Sequence, residues 1–524
     1  MLRLSTCGVL AMLAIVFGLL TLHSPVFAQS AAPAASVAVP PPPADYNMNA
    51  GAQSPPSADD AKAGLRYCET KDINNGDEGW METSTALVLL MTPGLALFYG
   101  GMVRSKNVLS VLMQSFVACG LITVQWAIYG YSIAFGPGVN GPMGGVIGNF
   151  SYLFLHHVSA WTPEGTINAA VSDSSAAHAG TSYSVTVSHQ IYCMFQLMFA
   201  IITPALISGA IVERMKFSAY LLFMLLWATF VYDPLAHMVW SHDGWLNKAG
   251  ALDFAGGSVV HMSSGFSALT LAIIIGRRKK SEGGEELRPH NLPMTAIGTA
   301  LLWFGWFGFN AGSAVNASGL SVSAFTATHI ATGTAALTWM MMDWIFYKKP
   351  TALGFCSGAV AGLVAITPAC GFVAPMGALI LGFAVSFICF FAIKLKHLLK
   401  ADDALDVFGV HGIGGLIGCL GTGCLAVAAI NSPAGGWTGH NGLFNGGSFT
   451  TSLLPQLKDA GTTILLAVVG TTILAFIVKL ICGGLRAGDE EEDMGLDLTD
   501  HGETGYSSES AGGTALAPSF ATAD

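Results

Sequence analysis

The sequence predicts an all-α polytopic membrane protein of eleven transmembrane helices, built as two inverted five-helix repeats with an eleventh helix after them. Three observations lead there. Hydrophobic residues make up 52% of the 524 and charged residues only 10%, with a mean hydropathy of +0.57, a balance that water-soluble domains of this size do not reach. The apolar runs are long and continuous rather than alternating, which argues against a porin-type barrel. Finally, Lys and Arg concentrate in every second loop between those runs.

The elements follow in order. MLRLSTCGVLAMLAIVFGLL, then SPVFAQS, has one basic residue, an apolar core and a small residue before a cut after Ala28; residues 1–28 read as a secretory signal peptide. Residues 29–82 include AAPAASVAVPPPPADY, which has too little to bury and reads as a flexible external segment. Residues 83–485 form the membrane domain and 486–524 a cytoplasmic tail. The apolar runs are 85–102, 108–135, 191–211, 218–239, 254–275, 294–311, 322–346, 352–370, 374–395, 404–430 and 461–482. Each is near the ~20 residues that cross ~30 Å of hydrocarbon as helix. An odd number of crossings that starts outside ends inside, and charge agrees. Arg104, Lys106, Arg214, Lys216, the Arg277 to Lys280 cluster, Arg288, Lys348, Lys349, Lys396 and Lys400 all fall on the side the count makes cytoplasmic.

The net charge of −10 reflects acids near the C-terminus (Asp489, Glu490, Glu491, Glu492, Asp493) and between Asp59 and Asp77. No basic face exists to bind nucleic acid. Most cysteines lie in apolar runs as small hydrophobes; Cys68, Cys193 and Cys370 could all lie near the outer face, where a pair among them is open. No zinc spacing, metal set or nucleophile with its base is present, and the reading requires no cofactor and no enzyme activity.

Two stretches break the oily pattern in the same way. ALDFAGGSVVHMSSGFSAL heads the fifth run and ALDVFGVHGIGGLIGCL the tenth; each begins Ala-Leu-Asp, reaches a His and continues as Gly-rich helix. LALFYGG in the first run has a weaker echo in WFGWFGFNAGS of the sixth. Runs one to five and six to ten thus read as two copies, inverted because five is odd, as in transporters whose site lies near the midplane between repeats. Measured along regular helices from opposite faces, His261 and His411 both reach the middle of the ~30 Å core. Ionisable residues at that depth are costly and usually face a pathway. Asp253 and Asp406 read as N-cap residues, with Asp253 also attracting cations to an outer mouth.

These motifs are recognisable. PGLALFYGGMVRSKNVLS, AIVERMKFSAY, DPLAHMVW, ALDFAGGSVVHM, PHNLPM, WFGFNAGSA, GLVAITPACG, DVFGVHGIGG and GLDLTDHGETGY occur in order, and over Thr85 to Tyr506 the chain resembles the ammonium transporter (Amt/Mep/Rh) family, most closely its bacterial Amt members. The resemblance implies an outer ammonium site at Trp240, Phe199 and Ser313, where an aromatic cage attracts a cation and a hydroxyl accepts an N–H bond. It implies a gate of stacked phenylalanines at Phe199 and Phe309, paired pore histidines at His261 and His411, and a structural acid at Asp253. It further implies ammonium or ammonia as substrate, with methylammonium open, a homotrimer in a bacterial inner membrane, and a cytoplasmic PII-type regulator at the tail. Two alternatives stand beside transport: an ammonium sensor, against which the short tail argues, and an electroneutral gas channel of the Rh type, against which Trp240 and Ser313 argue. Beyond Tyr506 the chain is too polar to pack and is expected to be disordered.

Overall fold

The computed structural model describes residues 65–164, 166–168, 183, 186–279, 288–431 and 440–506. The segment read as a signal peptide, the Ala/Pro-rich stretch and the residues beyond Tyr506 lie outside the described residues.

Eleven helices carry the described fold. They are α1 (Asn75–Met102), α2 (Ser105–Phe135), α3 (His189–Ile211), α4 (Phe217–Lys248), α5 (Gly257–Ile275), α6 (Leu292–Gly312), α7 (Gly319–Tyr347), α8 (Ala352–Ile366), α9 (Pro375–Ala392), α10 (Phe408–Leu425) and α11 (Phe449–Ile481). Nine of these described helices are long and apolar enough to cross a membrane; α8 is short, and α7 is long but rich in Thr. The only strands among the described residues are β1 (Leu65–Tyr67) and β2 (Thr166–Asn168), paired antiparallel.

α1 starts ten residues before its apolar run, because the Asn74 side chain accepts from the amides of Gly76 and Asp77 and so caps a polar first turn. α11 likewise starts twelve residues early, at a turn where Ser448 accepts from the amide of Thr451. Polar first turns of this kind carry no hydropathy signal.

The halves pack alike. α1 lies against α2 and α3 as α6 lies against α7 and α8. α2 also touches α4 as α7 touches α9, and α3 touches α5 as α8 touches α10. α1 meets α6, and α5 meets α10, at the centre; α11 covers α4, α5 and α10. This is the two-copy plan the motifs predict. The outward faces are apolar, with Leu465, Phe476 and Leu480 of α11 and Phe383 of α9 exposed. A protein with oil both inside and outside belongs in lipid.

The basic loops gather at one end of the bundle. Arg104 after α1 pairs with buried Glu213 after α3, and Arg278 after α5 pairs with Glu213 and Asp402. Burial alone would raise the two carboxyls, but Arg278 holds Asp402 well below the usual carboxylate range, and Arg278 and Arg104 together hold Glu213 below it. The tail docks here as α12 (Asp489–Met494) and α13 (Leu496–His501). Asp497 accepts from the amides of Leu109 and Ser110 at 3.0 and 2.7 Å, Lys106 donates to the Glu492 and Asp493 carbonyls, and Tyr506 meets His290 at 2.9 Å.

Candidate functional site

The chain between α4 and α5 is not helical. It turns through Gly250 and Gly256, at φ +83° and +114°, a region open to glycine and strained for other residues. Within this stretch Asp253 is buried, and its carboxylate gathers the first turn of α5. Oδ1 accepts from the amides of Gly256 and Gly257 at 2.8 and 2.6 Å; Oδ2 accepts from the amides of Ser258 and Val259 and from the Ser258 hydroxyl. These are the amides that a helix start leaves without partners.

α10 repeats the device with a different acid. Asp403 accepts from the amides of Val407 and Phe408 at 3.0 and 2.8 Å. Asp406, the residue read as the cap, instead sits at φ +60° and pairs with Lys396. The shared Ala-Leu-Asp string therefore misaligns the copies. The matching feature is an acid eight residues before the histidine, Asp253 before His261 and Asp403 before His411.

Both histidines lie in π-helical turns, Gly257–Met262 and Phe408–Gly412. Their depth cannot be counted along a regular helix from the acid, since Asp253 lies in non-helical chain and a π turn widens the spacing. They nonetheless meet. α5 and α10 cross where Gly265 packs on the backbone of Gly412, an approach any added Cβ would block. His261 Nδ1 and His411 Nδ1 are 3.3 Å apart, and both rings are buried. His261 Nε2 has no partner among the described residues.

Above this pair the rings form a column. Trp306, fixed by its indole N–H to Thr367 Oγ1 at 2.9 Å, stacks on His261 at 5.3 Å between centroids. Phe309 lies 6.1 Å from His261, and Phe199 stacks on Phe309 at 4.2 Å. Trp240 meets Phe199 edge-on at 5.9 Å and donates to the Asp253 carbonyl at 3.0 Å. Ser313 ends α6; its hydroxyl donates to the Phe309 carbonyl at 2.8 Å, leaving the oxygen to accept. No hydrogen bond ties Ser313 to Trp240 or Phe199, so Ser313 belongs to the group by its place one turn beyond Phe309. Phe309 and the two histidines line a small cavity whose remaining wall is apolar, Trp306, Leu206 and Val260 among its residues, with the two imidazoles as its polar groups.

Sequence reading thus missed Trp306 and Asp403. The eight-residue acid-to-histidine spacing would have found Asp403; nothing in WFGWFGFN distinguishes Trp306 from its neighbours. Cys193 and Cys370 are free thiols, so no disulfide joins any two of Cys68, Cys193 and Cys370.

Comparison with known proteins agrees with the fold and these motifs. Residues 79–506 match the model of the Ammonium Transporter Family. The chain is 47% identical over 466 residues to an ammonium transporter of Mycobacterium tuberculosis (strain ATCC 25618 / H37Rv), covering 86% of this chain and 94% of the relative. It is 45% identical over 432 residues to one of Bacillus subtilis (strain 168), covering 82% and 98%. The crystal structure of Saccharomyces cerevisiae Mep2 superposes with a TM-score of 0.70 at 34% identity, over 80% of this chain and 91% of that one. A structure titled Sensor Amt Protein superposes at 0.69 with 25% identity, over 82% and 98%. This multi-pass membrane protein belongs to the ammonium transporter family.

Proposed function

We propose that the protein takes up ammonium through a pore that admits only the deprotonated substrate. Ammonium is recruited at Trp240, Phe199 and Ser313, by attraction to the ring faces and an N–H bond to the serine oxygen. It then loses a proton, because the Phe199–Phe309 stack leaves no room for hydration water and the cavity behind offers no charge to stabilise a cation. Ammonia passes to His261 and His411, whose nitrogens replace its hydrogen bonds to water. Potassium has no proton to give and is refused, which ring size alone would not achieve.

The observation that carries this reading is the sequence of groups along one line: indole, stacked phenylalanines, then two imidazoles 3.3 Å apart in an otherwise apolar cavity. The Nδ1···Nδ1 contact means that one ring donates and the other accepts, so the pair holds a proton between them and can pass it on as a coupled unit. We infer that the proton stripped from ammonium follows this route, making uptake electrogenic.

On this reading Trp240 faces outside and the tail faces the cytoplasm of a bacterium, where the docked α12 and α13 form the surface on which a PII-type regulator would act. Residues 1–28 serve as a cleaved leader, 29–82 stay external, and the transporter assembles as a homotrimer in the inner membrane. The likeness to a structure titled Sensor Amt Protein keeps sensing as the alternative to transport. Purified protein in bilayers separates them: ammonium pulses give saturable current in a transporter, and bind without current in a pure sensor.

A further inference from the structure

Asp253 can gather the start of α5 only while the chain that carries it is held in place. The Ala251 amide donates to the Leu246 carbonyl at 3.1 Å, Trp240 donates to the Asp253 carbonyl at 3.0 Å, and the Phe254 amide donates to the Pro368 carbonyl after α8 at 3.2 Å. A further hold is a side chain from α11. Gln456, fully buried, accepts from the Leu252 amide through Oε1 at 2.6 Å and donates to the Leu252 carbonyl through Nε2 at 2.8 Å. Nε2 also donates to the Cys419 carbonyl of α10 at 3.0 Å, and the Cys419 thiol answers with a bond to the Gln456 carbonyl at 3.5 Å.

These bonds fix the amide in one orientation. Turned over, it would set its NH2 group against the Leu252 N–H and its oxygen against two carbonyls. Buried groups that lose such partners keep the full cost of leaving water. The segment has little stiffness of its own, since Gly250 and Gly256 flank it at positive φ.

The clamp also stands outside the repeat. At the inner end Ala404 and Leu405 donate to the Ala210 and Gly209 carbonyls of α3, as Phe254 at the outer end donates to the chain after α8, the counterpart of α3. Gln456 comes instead from α11, which belongs to neither copy. One amide thereby joins α10, which carries His411, to the chain that leads into α5, which carries His261.

We propose that Gln456 is a positioning residue through which α11 holds the Leu252–Asp253 backbone, and that the Asp253 carbonyl in turn sets where the Trp240 indole stands. Without Gln456 the segment shifts about its two glycines and the carbonyl leaves the indole N–H. The consequence for ammonium rests on the recruitment reading; the consequence for the indole does not. The histidine pair keeps its own crossing at Gly265 and Gly412, so affinity at the mouth should change more than passage through the pore.

Gln456→Met keeps the side chain's length and removes its three bonds. Thr471→Val is the control, because it removes another buried contact of α11, the bond from the Trp227 indole at 3.2 Å. Fluorine NMR of protein labelled with fluorotryptophan reads the indole directly, the Trp240 line being identified by its loss in Trp240→Leu. That line should shift in Gln456→Met and stay in place in Thr471→Val; a line unmoved by Gln456→Met, or moved equally by both, would overturn the positioning role. In bilayers, half-saturating ammonium should rise by about threefold to tenfold in Gln456→Met while maximal current stays within about twofold. The same substitution should add nothing in a Trp240→Leu background, and additive shifts would overturn action through the indole. Half-saturation unmoved by Trp240→Leu itself counts against the recruitment reading, and the fluorine line still decides the positioning. Should Gln456→Met not fold, Gln456→Glu, which keeps an acceptor for the Leu252 amide and loses both donations, enters the same comparisons.

Discussion

His261 and His411 come from helices related by the internal repeat, and they present Nδ1 to Nδ1 at 3.3 Å at the crossing that Gly265 and Gly412 allow. The contact exists only if one ring is the donor and the other the acceptor. His261→Ala and His411→Ala should each lower ammonium-evoked current by about tenfold or more, measured on purified protein in bilayers. Unchanged selective currents in both would remove the pair from the pathway.

The stacked gate predicts a change in selectivity rather than only in rate. Phe309→Ala opens the ring column between Trp240 and the cavity and admits water, which lowers the cost of a charged permeant. Potassium current, which the proposed filter excludes from the wild type, should appear in this variant; currents that still exclude potassium would place the filter elsewhere.

At the proposed recruitment site, Trp240→Leu removes the bond to the Asp253 carbonyl and would remove the proposed cation–π attraction. An attraction of about 0.5–2 kcal/mol corresponds to roughly twofold to thirtyfold weaker half-saturation, read from concentration series of the current.

The two acids before α10 should behave differently. Asp403→Ala deletes two bonds to helix-start amides and should cost about 1–2 kcal/mol, seen as a lower thermal midpoint. Asp406→Ala loses a partly exposed pairing with Lys396 and should cost less than about 1 kcal/mol. The reverse order would restore Asp406 as the cap.

At the other end, burial pushes the Glu164 carboxyl up to about 7, against bonds from the Tyr152 hydroxyl and the Tyr183 backbone that pull it down. The folded value lies above the ordinary one of 4.5, so this group's support for the chain around Tyr152, between α2 and α3, is complete below 4.5 and is lost as pH rises through about 7. Amide exchange around Tyr152, corrected for intrinsic rates, should be slower at roughly pH 5 than at roughly pH 8, and Glu164→Gln should remove the difference.

How much of this was legible in the sequence depends on what carried the signal. Apolar runs reveal each helix where lipid or core covers it, but not the polar first turns of α1 and α11, whose cause is capping by Asn74 and Ser448. The histidines stood out because an imidazole in an oily run is rare. The partner acid was misread because Ala-Leu-Asp is a string match, whereas the repeat is conserved in geometry: an acid must lie eight residues ahead to reach the amides of a π-turn start. Trp306 was illegible because its role depends on the tertiary stack against His261.

On the proposed mechanism the substrate crosses as ammonia while its proton travels separately through the histidine pair. The ratio of charge moved to ammonium taken up, measured on the same proteoliposomes, tests it directly. A ratio near one, with no potassium current, is the predicted result; uptake of ammonia with no accompanying charge would contradict it.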